Sequence, residues 1–156
     1  MGMRLISVGK RLPDWVYTVF AEYNKRLPNA YKLDLTEVSA TARSRSVAVA
    51  TTIQKEAEAI HRKLPAQAFI VLLDEKGYRF SSTGLATSLE KWQKTGKNIC
   101  FIIGGADGVD ETLRQVADVT WSLSTLTFPH ALVRVILAEQ IYRAWSINNN
   151  HPYHRE

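Results

Sequence analysis

The C-terminal segment His151-Pro-Tyr-His-Arg155 sets two imidazoles, a phenol and a guanidinium within five positions. Histidine is the side chain that trades protons near neutral pH, and tyrosine can stack on a nucleic-acid base. Such a tail can do acid–base chemistry on a ring, or it can be a ragged polar end. Upstream, Gly104-Gly-Ala-Asp-Gly108 is a three-glycine turn. It either satisfies a tight turn or cradles a ligand with its backbone. It is not G-x-G-x-x-G, and no G-K-[ST] follows, so neither the dinucleotide nor the P-loop fingerprint applies. Asp107, Asp110 and Glu111 crowd the helix start that follows, where a phosphate would want the N–H groups for itself. A neutral or cationic small ligand fits better. Leu123-Ser-Thr-Leu-Thr-Phe-Pro-His130 mixes apolar groups with hydroxyls. It reads either as a loop held by hydroxyl-to-backbone bonds or as a binding loop for a heterocycle recognised through main-chain hydrogen bonds.

Other reactive residue types give weaker signals. Glu139 and Arg143 stand at i and i+4 in the order that favours a simple pair, and in so apolar a helix Arg143 can equally point into a site. His130, His151 and His154 lack acidic or cysteine partners at ligand spacing, so no metal is expected. Cys100 lies inside an apolar strand and reads as core. As the single cysteine it excludes an intrachain disulfide and suits a reducing cytoplasm.

The elements that must position these residues alternate regularly. Strands are predicted over 3–8, 31–38, 68–73, 98–103 and 119–123, with Asp74 to Gly77 turning away from the third. Helices are predicted over 14–27, 47–64, 82–95, 110–117 and 129–147. Ser39 to Ser46 is a polar loop. Apolar strands alternating with helices predict one α/β domain with a mostly parallel sheet covered on both faces. Ligands of such sheets sit beyond the carboxyl ends of the strands, which is where Asp74–Gly77, the glycine turn and the hydroxyl loop are expected to fall. The last helix is apolar nearly all round, so one face is expected on the sheet and the other on a second subunit.

At 156 residues, 46% hydrophobic and 22% charged, the chain suits one globular domain. No stretch approaches the roughly 20 apolar residues of a membrane span, and no signal peptide is expected from Met1-Gly-Met-Arg4. The net charge of +5 permits a polyanionic partner such as RNA without requiring one. Lys10, Arg11, Arg43 and Arg45 are candidate phosphate contacts.

The runs Trp121-Ser-Leu-Ser-Thr-Leu-Thr-Phe-Pro-His130, Leu132-Val-Arg-Val-Ile-Leu-Ala-Glu-Gln-Ile-Tyr-Arg-Ala-Trp145 and Asn150-His-Pro-Tyr-His-Arg155, with Pro13-Asp14-Trp15 and Ile103-Gly-Gly-Ala-Asp-Gly108, together resemble one family. It is the bacterial large-subunit ribosomal RNA methyltransferases that methylate N3 of a pseudouridine, of the SPOUT, or trefoil-knot, class. The resemblance covers the whole chain and is most specific in the C-terminal third; Thr41 to Pro65 is not diagnostic. Many members carry Gly-Gly-Pro-Glu-Gly where this chain has Gly104-Gly-Ala-Asp-Gly108.

The resemblance implies a single-domain α/β knot over residues 1–156, with a C-terminal trefoil that a generic topology rule would vote against. It implies S-adenosyl-L-methionine as cofactor, held by Leu73, Asp74, Gly104 and Gly105 and by Leu123, Ser124, Thr125, Leu126, Thr127 and Phe128. It implies a homodimer with cofactor sites near the interface. The implied substrate is the assembled ribosome, at a 23S ribosomal RNA stem-loop near the subunit interface. The tail would close over the cofactor and bring Tyr153, His154 and Arg155 to the target base. His154 would serve as proton acceptor or orienter, Arg143 or Arg155 would meet RNA phosphate or the uracil carbonyls, and Tyr153 would stack or orient. A cytoplasmic protein with no metal and no membrane partner is expected. On residues alone, two other classes stay open. One is a non-catalytic RNA- or ribosome-binding module; the other is a flavodoxin-like nucleotide enzyme, for which Gly9-Lys-Arg-Leu-Pro13 is a poor phosphate loop. Two local expectations follow: the tail is too polar to add to the core, and a side chain at Gly105 obstructs the ligand's approach.

Overall fold

The computed structural model describes residues 2–41 and 48–155, so Arg43 and Arg45 lie outside the described residues. Five strands, β1 (Met3–Val8), β2 (Leu33–Val38), β3 (Phe69–Tyr78), β4 (Ile99–Ile103) and β5 (Val119–Trp121), form one sheet in the order β2-β1-β4-β3-β5. Every pairing is parallel. The helices are α1 (Asp14–Asn24), α2 (Val49–Lys63), α3 (Ser82–Lys94), α4 (Glu111–Val116) and α5 (His130–Asn148). None of the described helices is long and apolar enough to cross a membrane.

Strand periodicity divides the core into two layers. Leu5, Phe101 and Val71 stand side by side across β1, β4 and β3, and their neighbours Ile6, Ile102 and Leu72 do the same one residue on. Successive side chains point to opposite faces. The first row packs with Phe20, Leu89, Trp92, Leu137 and Ile141 of α1, α3 and α5. The second packs with Ala57 and Ile60 of α2 and Leu113 of α4. Continuous apolar strands are what a sheet buried on both faces requires.

Two boundaries differ from expectation in ways that shape the site. Asp74 to Gly77 does not turn away from β3: the strand bulges there and rejoins β5, where Tyr78 pairs with Trp121. A Cβ at Gly77 would lie 2.6 Å from the Thr120 backbone, so only glycine lets the two strands close. β5 ends at Trp121, short of Leu123. Ser122 turns its hydroxyl to the Ser124 carbonyl at 2.9 Å and starts a loop instead.

From β5, at one edge of the sheet, the chain returns across the sheet's carboxyl ends to α5, whose first turns reach β1 and β2. Arg134 marks the landing. It is fully buried and donates to Glu37 Oε2 at 2.7 Å, Ser7 Oγ at 3.1 Å and the Gly9 carbonyl at 3.2 Å. Tyr17 donates to the same Glu37 oxygen at 2.6 Å. Burial pushes the Glu37 carboxyl up, but the bonds from Tyr17 and Arg134 outweigh it and hold it below its ordinary value.

Candidate active site

Three segments meet at the carboxyl end of the sheet: the bulge within β3 and the strand-to-helix connections after β4 and β5. In the first, Asp74 accepts from Arg114 Nε of α4 at 2.7 Å, and the Lys76 backbone N–H approaches its other oxygen at 3.4 Å. The bond to Asp74, against the opposing effect of burial, raises the Arg114 guanidinium's already high pKa. The second is the glycine turn, closed on itself by a Gly108 N–H to Gly105 carbonyl bond of 3.2 Å. Asp110 then caps α4 by accepting from the Thr112 N–H at 3.0 Å. In the third, Ser124 Oγ accepts from the Leu126 N–H at 3.0 Å, so the hydroxyls of this loop do shape it, as the plainer reading held.

A cavity of about 790 Å³ opens between these segments, a volume in the range of small-molecule sites. Leu73, Asp74, Gly104, Gly105, Leu123, Ser124, Leu126, Thr127 and Phe128 line it, and Thr125 does not. Val109, Arg114, Trp121, His130 and Val133 line it as well. Its carboxylates are Asp74, Glu75 and Asp107, set against Lys76 and Arg114; Asp110 and Glu111 are not in the wall. The acidic surplus is therefore smaller than the sequence suggests.

A Cβ on Gly105 would lie 2.7 and 2.8 Å from the two carboxylate oxygens of Glu56, a buried residue of α2. A side chain at Gly105 therefore presses on the helix behind the loop, and the Glu56 side chain must shift to admit it.

The tail residues gather elsewhere. Arg143 donates to Glu139 Oε1 from Nε at 3.0 Å and from Nη2 at 2.7 Å. Tyr153 Oη donates to that oxygen at 2.9 Å, and Gln140 Nε2 donates to Oε2 at 2.6 Å. Arg143 Nη1 faces His154 Nδ1 at 3.4 Å, and the guanidinium lies over the Tyr153 ring. Burial works against the Arg143 charge, but Glu139 outweighs it and its pKa is raised. Burial first, then bonds to Tyr23 and Glu139, push the Tyr153 phenol up, so it stays a donor. Arg155 is exposed.

None of Arg143, Tyr153, His154 and Arg155 lines the cavity of its own chain. Val133, which does, precedes Arg143 by ten residues, about 15 Å along a helix. A second recess of about 240 Å³ shares Trp121, Leu123 and Phe128 with the cavity and reaches Gln140. The tail is also less detached than expected. Tyr153 packs edge-on against Tyr142 at 4.6 Å, and His151 lies against Tyr142 and Trp145. Its aromatic rings, which the polar composition hid, dock it on α5.

Residues 1–154 match the family described as "Predicted SPOUT methyltransferase". The chain belongs to the SPOUT methyltransferase family. It is 47% identical over 158 residues to the "Ribosomal RNA large subunit methyltransferase H" of Cupriavidus taiwanensis, with 99% of each chain covered. Proteins of that name from Thioalkalivibrio sulfidiphilus, at 45% over 156 residues and 100% of each chain, and Paraburkholderia phymatum, at 44% over 155 residues and 99% of each, are similarly close. A solved structure titled as that of a probable methylase family protein from Haemophilus influenzae Rd KW20 superposes with a TM-score of 0.58 at 10% identity, covering 99% of this chain and 70% of that one. At that identity the likeness concerns the fold alone.

The expected α/β class, with a parallel sheet flanked by helices, is the fold of this SPOUT methyltransferase. Sequence reasoning missed Glu56, Arg114, Arg134 and the hub role of Glu139. Glu56 and Arg114 sit on helices that read as ordinary amphipathic cover, and nothing in their spacing marks the loop each one touches. Glu139 carried a signal, its favourable spacing from Arg143, which says nothing of Tyr153 or Gln140.

Proposed function

We propose that this SPOUT methyltransferase uses S-adenosyl-L-methionine to methylate N3 of a pseudouridine in 23S ribosomal RNA, on the assembled ribosome and as a homodimer. The observation that carries the reading is the convergence of the β3 bulge and two strand-end loops on one cavity, in a chain matched along its whole length by proteins named ribosomal RNA large subunit methyltransferase H. The wall fits the cofactor. Leu73, Ile103, Trp121, Leu123 and Phe128 offer apolar surface to an adenine ring, the glycine turn offers backbone, and Glu75 and Asp107 place carboxylates where a cation is welcome. Bound there, the cofactor would supply an electrophilic methyl group on a positively charged sulfur.

The chain's own residues supply the rest. An imide N–H is a poor nucleophile until its proton leaves or the charge left behind is stabilised. Arg143, kept cationic by Glu139, and Tyr153, kept protonated, are groups for holding an anionic ring. Because the tail cluster lies away from its own chain's cavity, we place the tail of one protomer over the cavity of its partner. Leu132 of α5 and Leu126 of the third loop, exposed apolar residues, supply contact surface for that dimer. Lys10 and Arg11, both exposed beside β1, serve as phosphate contacts. A ribosomal substrate puts the protein in the cytoplasm.

Mass spectrometry of 23S ribosomal RNA from cells with and without the gene tests this. One methyl group on a pseudouridine should vanish with the gene and return with it. An identical methylation pattern in both would overturn the proposal.

A further inference from the structure

We propose that Tyr78 is an RNA contact: its exposed ring stacks on a base beside the target nucleotide, and Lys76 and Arg79 take the phosphates that flank that base. This rests on the function given above and assigns a surface through which the chain holds its RNA.

Tyr78 belongs to a strand yet stays out of the core. It ends β3, and 68% of it is exposed. The backbone beneath it is fixed. Tyr78 pairs with Trp121, and its carbonyl accepts from the Ser122 N–H at 2.9 Å. The ring is braced edge-on by Phe80 at 4.8 Å, and Phe80 meets Trp121 in the same manner at 6.1 Å. Trp121 lines the cavity. A row of three rings thus runs from the cavity wall outward and ends on one that is open to solvent.

The charged side chains near that ring are mostly cationic. Lys76 lines the cavity and Arg79 is exposed. Neither forms an ion pair with a described residue. Asp74, two positions before Lys76, is already engaged by Arg114. That leaves Glu75 against Lys76 and Arg79 in the segment 75–79.

An exposed aromatic ring between two unpaired cations matches a nucleotide, which offers a flat π face and a phosphate on either side. A second copy of the chain fits less well. Lysine is depleted from the cores of protein interfaces, burying cations without partners is costly, and each copy carries a net charge of +5. The reaction also gives the stacking a purpose. A base must leave its stack before its N3 can reach a methyl group held in the cavity, and the base beside it then loses a neighbour. The Tyr78 ring, tied to the cavity wall through Phe80 and Trp121, replaces that neighbour.

The test uses the full-length protein, S-adenosylmethionine and ribosomes lacking the methyl group. Tyr78→Ala removes the stacking ring, Tyr78→Phe keeps it, and Arg79→Gln removes one cation from an exposed position. Tyr78→Ala should raise KM for ribosomes by about tenfold or more, with kcat, Tm and calorimetric binding of S-adenosylmethionine near wild type. Tyr78→Phe should stay within about twofold of wild type. Arg79→Gln should raise KM and lower the slope of log KM against log salt by about one. Co-sedimentation with ribosomes should rank the variants in the same order. An unchanged KM in Tyr78→Ala, equal losses in Tyr78→Ala and Tyr78→Phe, or weakened cofactor binding in Tyr78→Ala would overturn the assignment. So would a dimer that dissociates in Tyr78→Ala, which would make the patch a contact between copies. Wild-type protein that methylates no ribosome would defeat the proposed function instead, and co-sedimentation would still decide whether Tyr78 contacts the ribosome.

Discussion

Arg134 and Glu37 stand 97 residues apart in the chain and join at 2.7 Å in the fold. The arginine lies in the second turn of the last helix and the glutamate next to the end of the second strand, with 0% and 24% of their side chains exposed. His130, one turn earlier on the same helix, lines the cavity. The ion pair therefore seats the helix that forms the far wall of the site. It does so on the first two strands, which contribute nothing to that wall.

Removing one partner of such a pair strands the other's charge. Arg134→Ala should cost about 3 kcal/mol, read by calorimetry as a fall in Tm of about 6–12 °C. The pair should also carry a pH signature. Glu37 has a folded pKa below its ordinary 4.5, so its contribution is complete above that value and is lost as pH falls through the lower folded value. In acid titrations followed by circular dichroism, Glu37→Gln should be less stable than wild type at neutral pH, with a shallower loss below pH 4.5. Parallel acid limbs would show that the pair contributes nothing to this titration.

The glycine loop should answer to the helix behind it. Gly105→Ala would press its Cβ onto the Glu56 carboxylate, displacing the loop or forcing a buried charge to move. Calorimetric titration with S-adenosylmethionine should show binding weakened at least tenfold, about 1.4 kcal/mol. In the double variant Gly105→Ala, Glu56→Ala the obstruction is gone, and part of the affinity should return. If the second substitution restores nothing, the cavity side of Gly105 matters more than its back.

Much of the scaffold was legible because it follows from periodicity. Apolar runs such as Ile99 to Ile103 admit few readings other than a buried strand, and the place of the loops after β4 and β5 follows from the direction of a parallel sheet. What stayed hidden depends on contacts between distant positions. Asp74 to Gly77 is polar and glycine-ended, so it reads as a turn until the Thr120 backbone is brought against Gly77. A charged residue inside an apolar helix gives no hint that Ser7, Gly9 and Glu37 wait for it. The tail reads as solvent-loving because its composition shows histidine and arginine, while its placement follows from Tyr153 meeting Tyr142.

Dimerisation should run through the last helix. α5 packs on α1 and α3 within its own chain, yet Leu132 remains 37% exposed and Leu126 of the adjoining loop 68%. Sedimentation should find the wild type dimeric at micromolar concentration. Leu132→Asp should sediment as a folded monomer with weakened cofactor binding, because a desolvated carboxylate at an interface goes unanswered. A monomeric wild type would separate the tail from any partner cavity.

Deleting residues 151–156 should separate what the tail does for folding from what it does for methyl transfer. The deletion removes the Tyr153–Tyr142 contact and the Tyr153–Glu139 hydrogen bond. Together these are worth about 1–2 kcal/mol, so the truncated protein should still fold and dimerise, with a Tm lower by about 2–8 °C. Its methylation of ribosomes should fall by at least about 100-fold, the usual contribution of one positioned acid–base or donor group. Tyr153→Phe distinguishes the two effects. It keeps the ring on Tyr142 and loses only the hydroxyl that steadies Glu139, so Tm should move little. The rate should fall by less than in the truncation, because Arg143 retains its own two bonds to Glu139. A truncated enzyme that methylates at the wild-type rate would leave the tail a structural clasp on α5 and return the task of stabilising the ionised ring to the cavity itself.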